Sequence, residues 1–240
     1  MDLSSMDIVY PYLPWNDNGI ELKYSLRSLQ NIPHRNVILI GTPPQRLNTK
    51  EVRVINFLDD PNHSKYRNVT DKRIIISNDE SISDDYIRMN DDMFIMKPIT
   101  NIPYYTKCSL REHLNLIAEK FGGVSRYYKV IERVYKVFPN GMSFEVHCPM
   151  VFNKAKSKKL LDDFWPLELA FRSMYCNLFW VEWTPFINDS GSIDCKSYNG
   201  RLQEIDNLNN LTYLSTYDEL KYEYKKRLDS KLWTKSIYEL

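Results

Sequence analysis

Two adjacent carboxylates, Asp91 and Asp92, close an apolar, strand-like segment, Tyr86-Ile-Arg-Met-Asn-Asp-Asp-Met-Phe94. Charges placed there cost free energy unless a cation compensates them. A divalent ion would do so: Mn²⁺ or Mg²⁺ takes oxygen ligands, leaves positions open for phosphate oxygens and would neutralise a departing diphosphate. The other reading of Asn90-Asp91-Asp92 is a turn whose side chains cap backbone amides. His147 is one of four histidines. Its imidazole titrates near neutrality and could accept a hydroxyl proton, or it could be a hydrogen-bonded histidine inside a strand. Arg172, among Leu169, Phe171 and Met174, could fork onto a phosphate or snorkel to solvent.

Further cations have weaker claims. Arg27 lies in a helical segment whose N-terminus would face the same site, and could reach a diphosphate or be solvated. Lys65, Asn68 and Arg73 read as a solvated helix face. Arg126, Lys129, Arg133 and Lys136 are spaced three, four and three apart, which aligns them on one helix face. Such a face could meet the phosphates of DNA or an anionic glycan, but charge opposite an apolar stripe is ordinary. Phe179-Trp180-Val-Glu-Trp183 could stack a sugar or base ring, or belong to the core.

The elements that must position these groups follow from periodicity. Asp7-Ile-Val-Tyr10 reads as a buried strand, broken by Pro11 and Pro14. Leu22, Leu26 and Leu29 give helical spacing over 20–29. Strands are expected at 36–40, 52–57 and 86–89, with a helix over 63–77 between the last two. Strands alternating with helices predict an α/β fold with a mostly parallel sheet and right-handed crossovers. Ligands in such sheets sit beyond the carboxyl ends of the strands, and both Asn16-Asp17 and Asp91-Asp92 fall there. The second half is a less regular α+β mixture. Helices are expected over 127–138, 156–164, 166–175 and within 217–240, and an interrupted strand over 144–152.

The net charge of +1 gives no global footprint for nucleic acid. Cys108, Cys148, Cys176 and Cys195 form no C-x-x-C pair, so neither a structural zinc site nor a disulfide framework is expected. With no leader-like N-terminus and no bilayer-length apolar run, the expectation is a cytoplasmic protein with reduced thiols and no membrane span.

Asp7-Ile-Val-Tyr10, Glu21-Leu-Lys-Tyr-Ser-Leu-Arg-Ser-Leu29, Asn36-Val-Ile-Leu-Ile40 and Tyr86 to Phe94 follow one another in a recognisable order. They resemble the first two regions of the Stealth family of sugar-phosphate transferases. Glu145-Val-His147-Cys-Pro149 and Phe171-Arg172-Ser173 resemble later regions of that family. The resemblance covers about residues 7 to 100 well and 145 to 175 more thinly. It implies a single GT-A-like (Rossmann-like) domain over 1–240. The nucleotide-binding half would be 1–100 and the acceptor-side half 101–240. The implied activity is metal-dependent transfer of a sugar or sugar phosphate from a nucleotide-sugar, a UDP-sugar, to a glycan or other hydroxyl acceptor.

Residue by residue, Asp91 and Asp92 match the acidic pair that would hold the metal, Asn90 the residue before it, and His147 and Arg172 the family's His and Arg. Asp92, His147 and Arg172 form the expected catalytic set; Tyr10, Asp17, Arg27 and Asn90 form the expected donor-binding set. Where the family continues with Trp-Val-Asp, this chain has Pro11-Tyr-Leu-Pro-Trp-Asn-Asp17. Two other readings accompany this one: a compact phage enzyme that glycosylates hydroxylated DNA bases, and a non-catalytic module that keeps the fold.

Overall fold

The computed structural model describes residues 2–13, 19–186, 192–194, 211–216, 222–232 and 234–240. The first half supplies β1 (Asp7–Pro11), α1 (Ile20–Ser28), β2 (Val37–Ile40), β3 (Val52–Ile55), α2 (Lys65–Asn78), β4 (Asp85–Arg88) and β5 (Met93–Ile95). Then come β6 (Tyr104–Thr106), β7 (Cys108–Ser109), α3 (Leu110–Phe121), α4 (Arg126–Val137), β8 (Met142–Ser143), β9 (Met150–Asn153), α5 (Lys154–Phe164) and α6 (Phe171–Leu178). The last described elements are β10 (Trp183–Pro185), β11 (Ser192–Asp194), β12 (Tyr213–Ser215) and α7 (Tyr222–Lys231).

The main sheet has the order β3-β2-β1-β4-β9, parallel except for the antiparallel edge strand β9. Its central strands are apolar on both faces because helices cover both. Ile8, Tyr10, Leu39 and Ile87 face a core completed by Leu22 and Leu26 of α1. Val9, Ile38, Ile40 and Tyr86 face the opposite core, with Ile76 of α2, Leu160 of α5 and Phe171 of α6. Strand order reverses between β1 and β4, which opens a crevice at their carboxyl ends. A small three-stranded sheet, β11-β12-β5, lies beyond that point; Met93 of β5 pairs antiparallel with Ser215 of β12.

The expected helix over 166–175 begins later, at Phe171. The expected strand over 144–152 is confined to β9, and residues 144–148 form a tight loop instead. The helix α3 has no counterpart in the sequence expectations, although Ser109 and Glu112 make a reciprocal capping box at its start. Cys108, Cys148 and Cys176 are free thiols; Cys195 lies outside the described residues. Among the described residues, no helix is long and apolar enough to cross a membrane.

Candidate active site

The chain leaves β1 toward the crevice along a tightly held path. Tyr12 N donates to Ile40 O at 2.9 Å. A Cβ on Gly41, whose φ is +150°, would lie 2.2 Å from Tyr12 O, so only glycine permits this approach. Lys72 of α2, 1% exposed, donates to the same carbonyl at 2.7 Å and pairs with Asp59 at 2.7 Å. Burial pushes the Lys72 amine down, and Asp59 works against that shift.

The crevice is a cleft of about 280 Å³ whose walls include Pro11, Leu13, Glu21, Asn90, Asp91, Asp92, Glu145, His147 and Arg172. Asn90, Asp91 and Asp92 make the turn between β4 and β5. Asp92 is 6% exposed, and its carbonyl accepts from Thr216 N at 3.0 Å. Thr216 Oγ1 donates to Glu21 Oε1 in the first turn of α1 at 2.6 Å. The β12 strand therefore ties the acidic turn to the start of α1, and neither Ser215 nor Thr216 carries a signal in the sequence.

His147 reaches the same turn from the second half of the chain. Its Nδ1 is 3.8 Å from Asp92 Oδ2 and 3.4 Å from Ser215 Oγ. The backbone around it is folded sharply: Val146 N donates to Phe144 O at 2.8 Å and Cys148 N to Val146 O at 3.0 Å, each two residues back. This turns the carbonyls of Val146 and Cys148 to one side, where both accept from Arg172 Nη1, at 2.7 and 2.8 Å. The structure thus places Arg172 as a clamp on the loop that presents His147, with Nη1 held by carbonyls rather than offered to a phosphate. Glu145 Oε1 accepts from Ser173 N and Oγ, both at 3.0 Å, and fixes the near end of that loop to α6.

Two further arginines line the cleft. Arg88 of β4 and Arg73 of α2 are 7% and 8% exposed. Burial pushes the Arg88 guanidinium well below its ordinary range, and repulsion from Arg73 and Arg172 pushes it the same way. Burial pushes Arg73 down to about 10, and Arg172 adds to that shift. Arg73 packs over the Phe171 ring at 4.2 Å. The expectation of a solvated face at Lys65, Asn68 and Arg73 is corrected for Arg73 and for Asn68. Asn68 is buried, and its side chain bonds the backbone of Asp60. The available signal for Arg88 was an arginine between Ile87 and Met89 in an apolar strand, where a charge requires a reason.

Two members of the expected donor-binding set do not reach the cleft. Arg27 lies in the last turn of α1, about 10 Å along the helix from its start. There it grips Glu239 with Nε at 2.7 Å and Nη2 at 2.9 Å, and donates to Leu232 O at 3.0 Å. Tyr10 is 1% exposed beneath the site, its hydroxyl 2.9 Å from Ser25 Oγ. Asp17 lies outside the described residues. On the Arg126 to Lys136 face, Arg126 forks onto Glu168, Arg133 donates to Glu168 O at 2.7 Å and Lys136 pairs with Glu132 at 3.2 Å. Arg126 and Arg133 thus tie α4 to the segment before α6, while Lys136 pairs within the helix, which is the plainer of the two readings and lends DNA no support.

A divalent ion can be tested against this donor set. Among the described residues no three His, Cys, Asp or Glu side chains converge as a complete cage. The Asp92 carboxylate beside the His147 imidazole, with Asp91 next to it in a turn that lines the same cleft, would nevertheless suit an ion that takes only part of its shell from protein. That is the habit of Mg²⁺ or Mn²⁺ on phosphorylated substrates. Asp91 and Asp92 would hold it.

No protein-family model and no curated protein sequence matches the chain. Solved structures do. The apo structure of WbbM, a bifunctional glycosyltransferase, is 11% identical over 98% of this chain with a TM-score of 0.57; this chain spans 50% of that one. An active-site mutant of LgtC is 11% identical, with 95% of each chain covered and a TM-score of 0.51. The galactosyltransferase LgtC with donor and acceptor sugar analogues matches at 10% identity and a TM-score of 0.49, again over 95% of each chain. At these identities the likeness is one of fold. The chain has the mixed α/β, GT-A-like architecture of glycosyltransferase structures, with a mostly parallel central sheet flanked by helices.

Proposed function

We propose that this protein is a metal-dependent enzyme that transfers a sugar or sugar phosphate from a nucleotide-sugar, a UDP-sugar, to an acceptor hydroxyl. One observation carries the reading. The acidic turn Asp91-Asp92 and the imidazole of His147 meet in one cleft at the carboxyl ends of β1 and β4. The glycosyltransferase fold and the Stealth-like motifs agree with it. A Mn²⁺ or Mg²⁺ ion bound at Asp91 and Asp92 would supply charge neutralisation on the diphosphate.

The chain's own residues do the rest. His147, held beside Asp92, takes the proton of the acceptor hydroxyl, and the Asp92 carboxylate stabilises the imidazolium that results. Arg172 keeps His147 in place through the two carbonyls that flank it. Asn90 and Glu21 line the donor side of the cleft. If the acceptor oxygen bonds to the anomeric carbon, the carbon–oxygen bond to the β-phosphate breaks and UDP departs. If it bonds to the β-phosphorus, as the Stealth resemblance implies, the P–O–P bridge breaks and UMP departs.

Incubating the protein with UDP-sugars, Mn²⁺ and a panel of hydroxyl acceptors, then separating the nucleotides, tests this. Metal-dependent appearance of UDP or UMP is expected, and which one appears identifies the group transferred. No nucleotide release from any UDP-sugar would count against catalysis and favour a non-catalytic module.

A further inference from the structure

The cleft holds more positive charge than the reaction above uses. Arg73, Arg88 and Arg172 all lie within it and are all at least nine-tenths buried. Arg172 is committed to the Val146 and Cys148 carbonyls. Arg73 and Arg88 are not: among the described residues, the Nε atom of each is buried without a hydrogen-bond partner. Among the described residues Arg88 reaches only Asn90 Oδ1, with Nη2 at 3.4 Å, and Arg73 lies over the Phe171 ring. The nearby carboxylate, Glu145, attracts both guanidinium groups, but the contacts it makes through Oε1 are to Ser173 at the start of α6 and not to either arginine.

Desolvated guanidinium donors that repel one another are costly to the fold. A buried arrangement of this kind is relieved by a planar or tetrahedral oxyanion, to which guanidinium groups fork. In the function proposed above, the diphosphate would be met by the acidic turn after β4 and an ion held by Asp91 and Asp92. Arg73 and Arg88 sit on the α2 and α6 side of the sheet, beside Tyr66 and Phe171, whose rings can cover a sugar.

We propose that Arg73 and Arg88 form a second anion subsite, which takes a carboxylate or phosphate carried by a sugar, so that one of the two sugars joined is acidic. This rests on the transferase reading for what the sugar does, but not for the binding of the anion itself. The anion could sit on the transferred unit or on the acceptor.

Calorimetry on the full chain separates the cases. With Mn²⁺ present, UDP-glucuronate is compared with UDP-glucose. With saturating UDP and Mn²⁺, free glucuronate and glucose 6-phosphate are compared with glucose. An anionic preference of about tenfold or more is expected in at least one comparison, since each tenfold is one well-made charged contact. A preference in the first comparison places the anion on the donor, and in the second on the acceptor. Arg88→Gln and Arg73→Gln should each abolish the preference and leave UDP affinity within about twofold; Arg88→Lys should retain part of it.

Arg88→Gln should also melt higher than the parent, because it removes a repelled buried charge, whereas an arginine kept for folding would lower the melting temperature. Equal binding of neutral and anionic sugars would overturn the subsite. So would a fall in UDP affinity in the Arg→Gln variants, which would assign the pair to the diphosphate. Should UDP itself fail to bind, the transferase reading falls, and the free anionic sugars without nucleotide still decide the subsite.

Discussion

At the scale of single residues, groups that look alike in the sequence have unequal surroundings: His147 borders the cleft beside Asp92, whereas Arg172 is turned onto backbone carbonyls. In the proposed function His147 takes the acceptor proton, so His147→Gln should cut turnover by about 100-fold or more and leave donor binding in place. Arg172 acts on His147 from behind, through Val146 O and Cys148 O. Arg172→Gln should therefore lower kcat with little change in donor KM, and Arg172→Lys should recover part of the loss. A phosphate-holding Arg172 would instead raise donor KM, so steady-state kinetics on the two variants distinguishes the roles. The sequence made the types of these residues visible, along with their nearness in family-like motifs. It did not reveal that Arg172 faces carbonyls, because that depends on a loop whose sharp folding has no periodic signature. Nor did it mark Arg73 for burial, since a helix that carries polar residues on every side reads as solvated. Here α2 buries Asn68, Thr70, Lys72 and Arg73 together.

At the scale of elements, the strands of the first half were legible because fully covered parallel strands are continuous apolar runs between turn residues. The second half was less so. Its strands β6, β7, β8, β10 and β12 have two or three residues each, too few for a period to show. The helix α3 had its capping box in plain view, Ser109 with Glu112, and should be found by that signature in related sequences. The end of the chain is locked to α1 by Arg27 and Glu239, which the sequence had placed in the site and left unremarked, respectively. Removing one partner of a largely buried pair costs about 3 kcal/mol, and for a chain of this length Arg27→Ala should lower the melting temperature by about 6 to 12 °C. Burial alone would raise the Glu239 carboxyl, but its bonds with Arg27 and Ser236 outweigh that and hold it below its ordinary value of 4.5. A carboxyl lowered on folding contributes stability that is present above the unfolded pKa and lost as pH falls through the folded one. Melting temperature should therefore decline below about pH 4.5, and more shallowly in Glu239→Gln. Equal slopes for the two proteins would remove Glu239 from the acid response.

At the scale of the whole molecule, the proposed function has the glycosyltransferase-like fold bring its acidic turn and its histidine loop to one crevice for a metal-bound nucleotide. Binding that is confined to the folded state raises stability by about 2.7 kcal/mol at a hundredfold excess over Kd. Thermal denaturation with UDP and Mn²⁺ together should accordingly shift upward by about 5 to 10 °C, and with either alone by much less. The most direct measurement is a calorimetric titration of UDP into the protein with Mn²⁺, repeated with chelator and with the Asp91→Asn, Asp92→Asn double variant. Saturable binding that requires Mn²⁺ and is weakened at least about 100-fold in the variant is the predicted result. UDP binding that is equally strong without metal and in the variant would contradict the account.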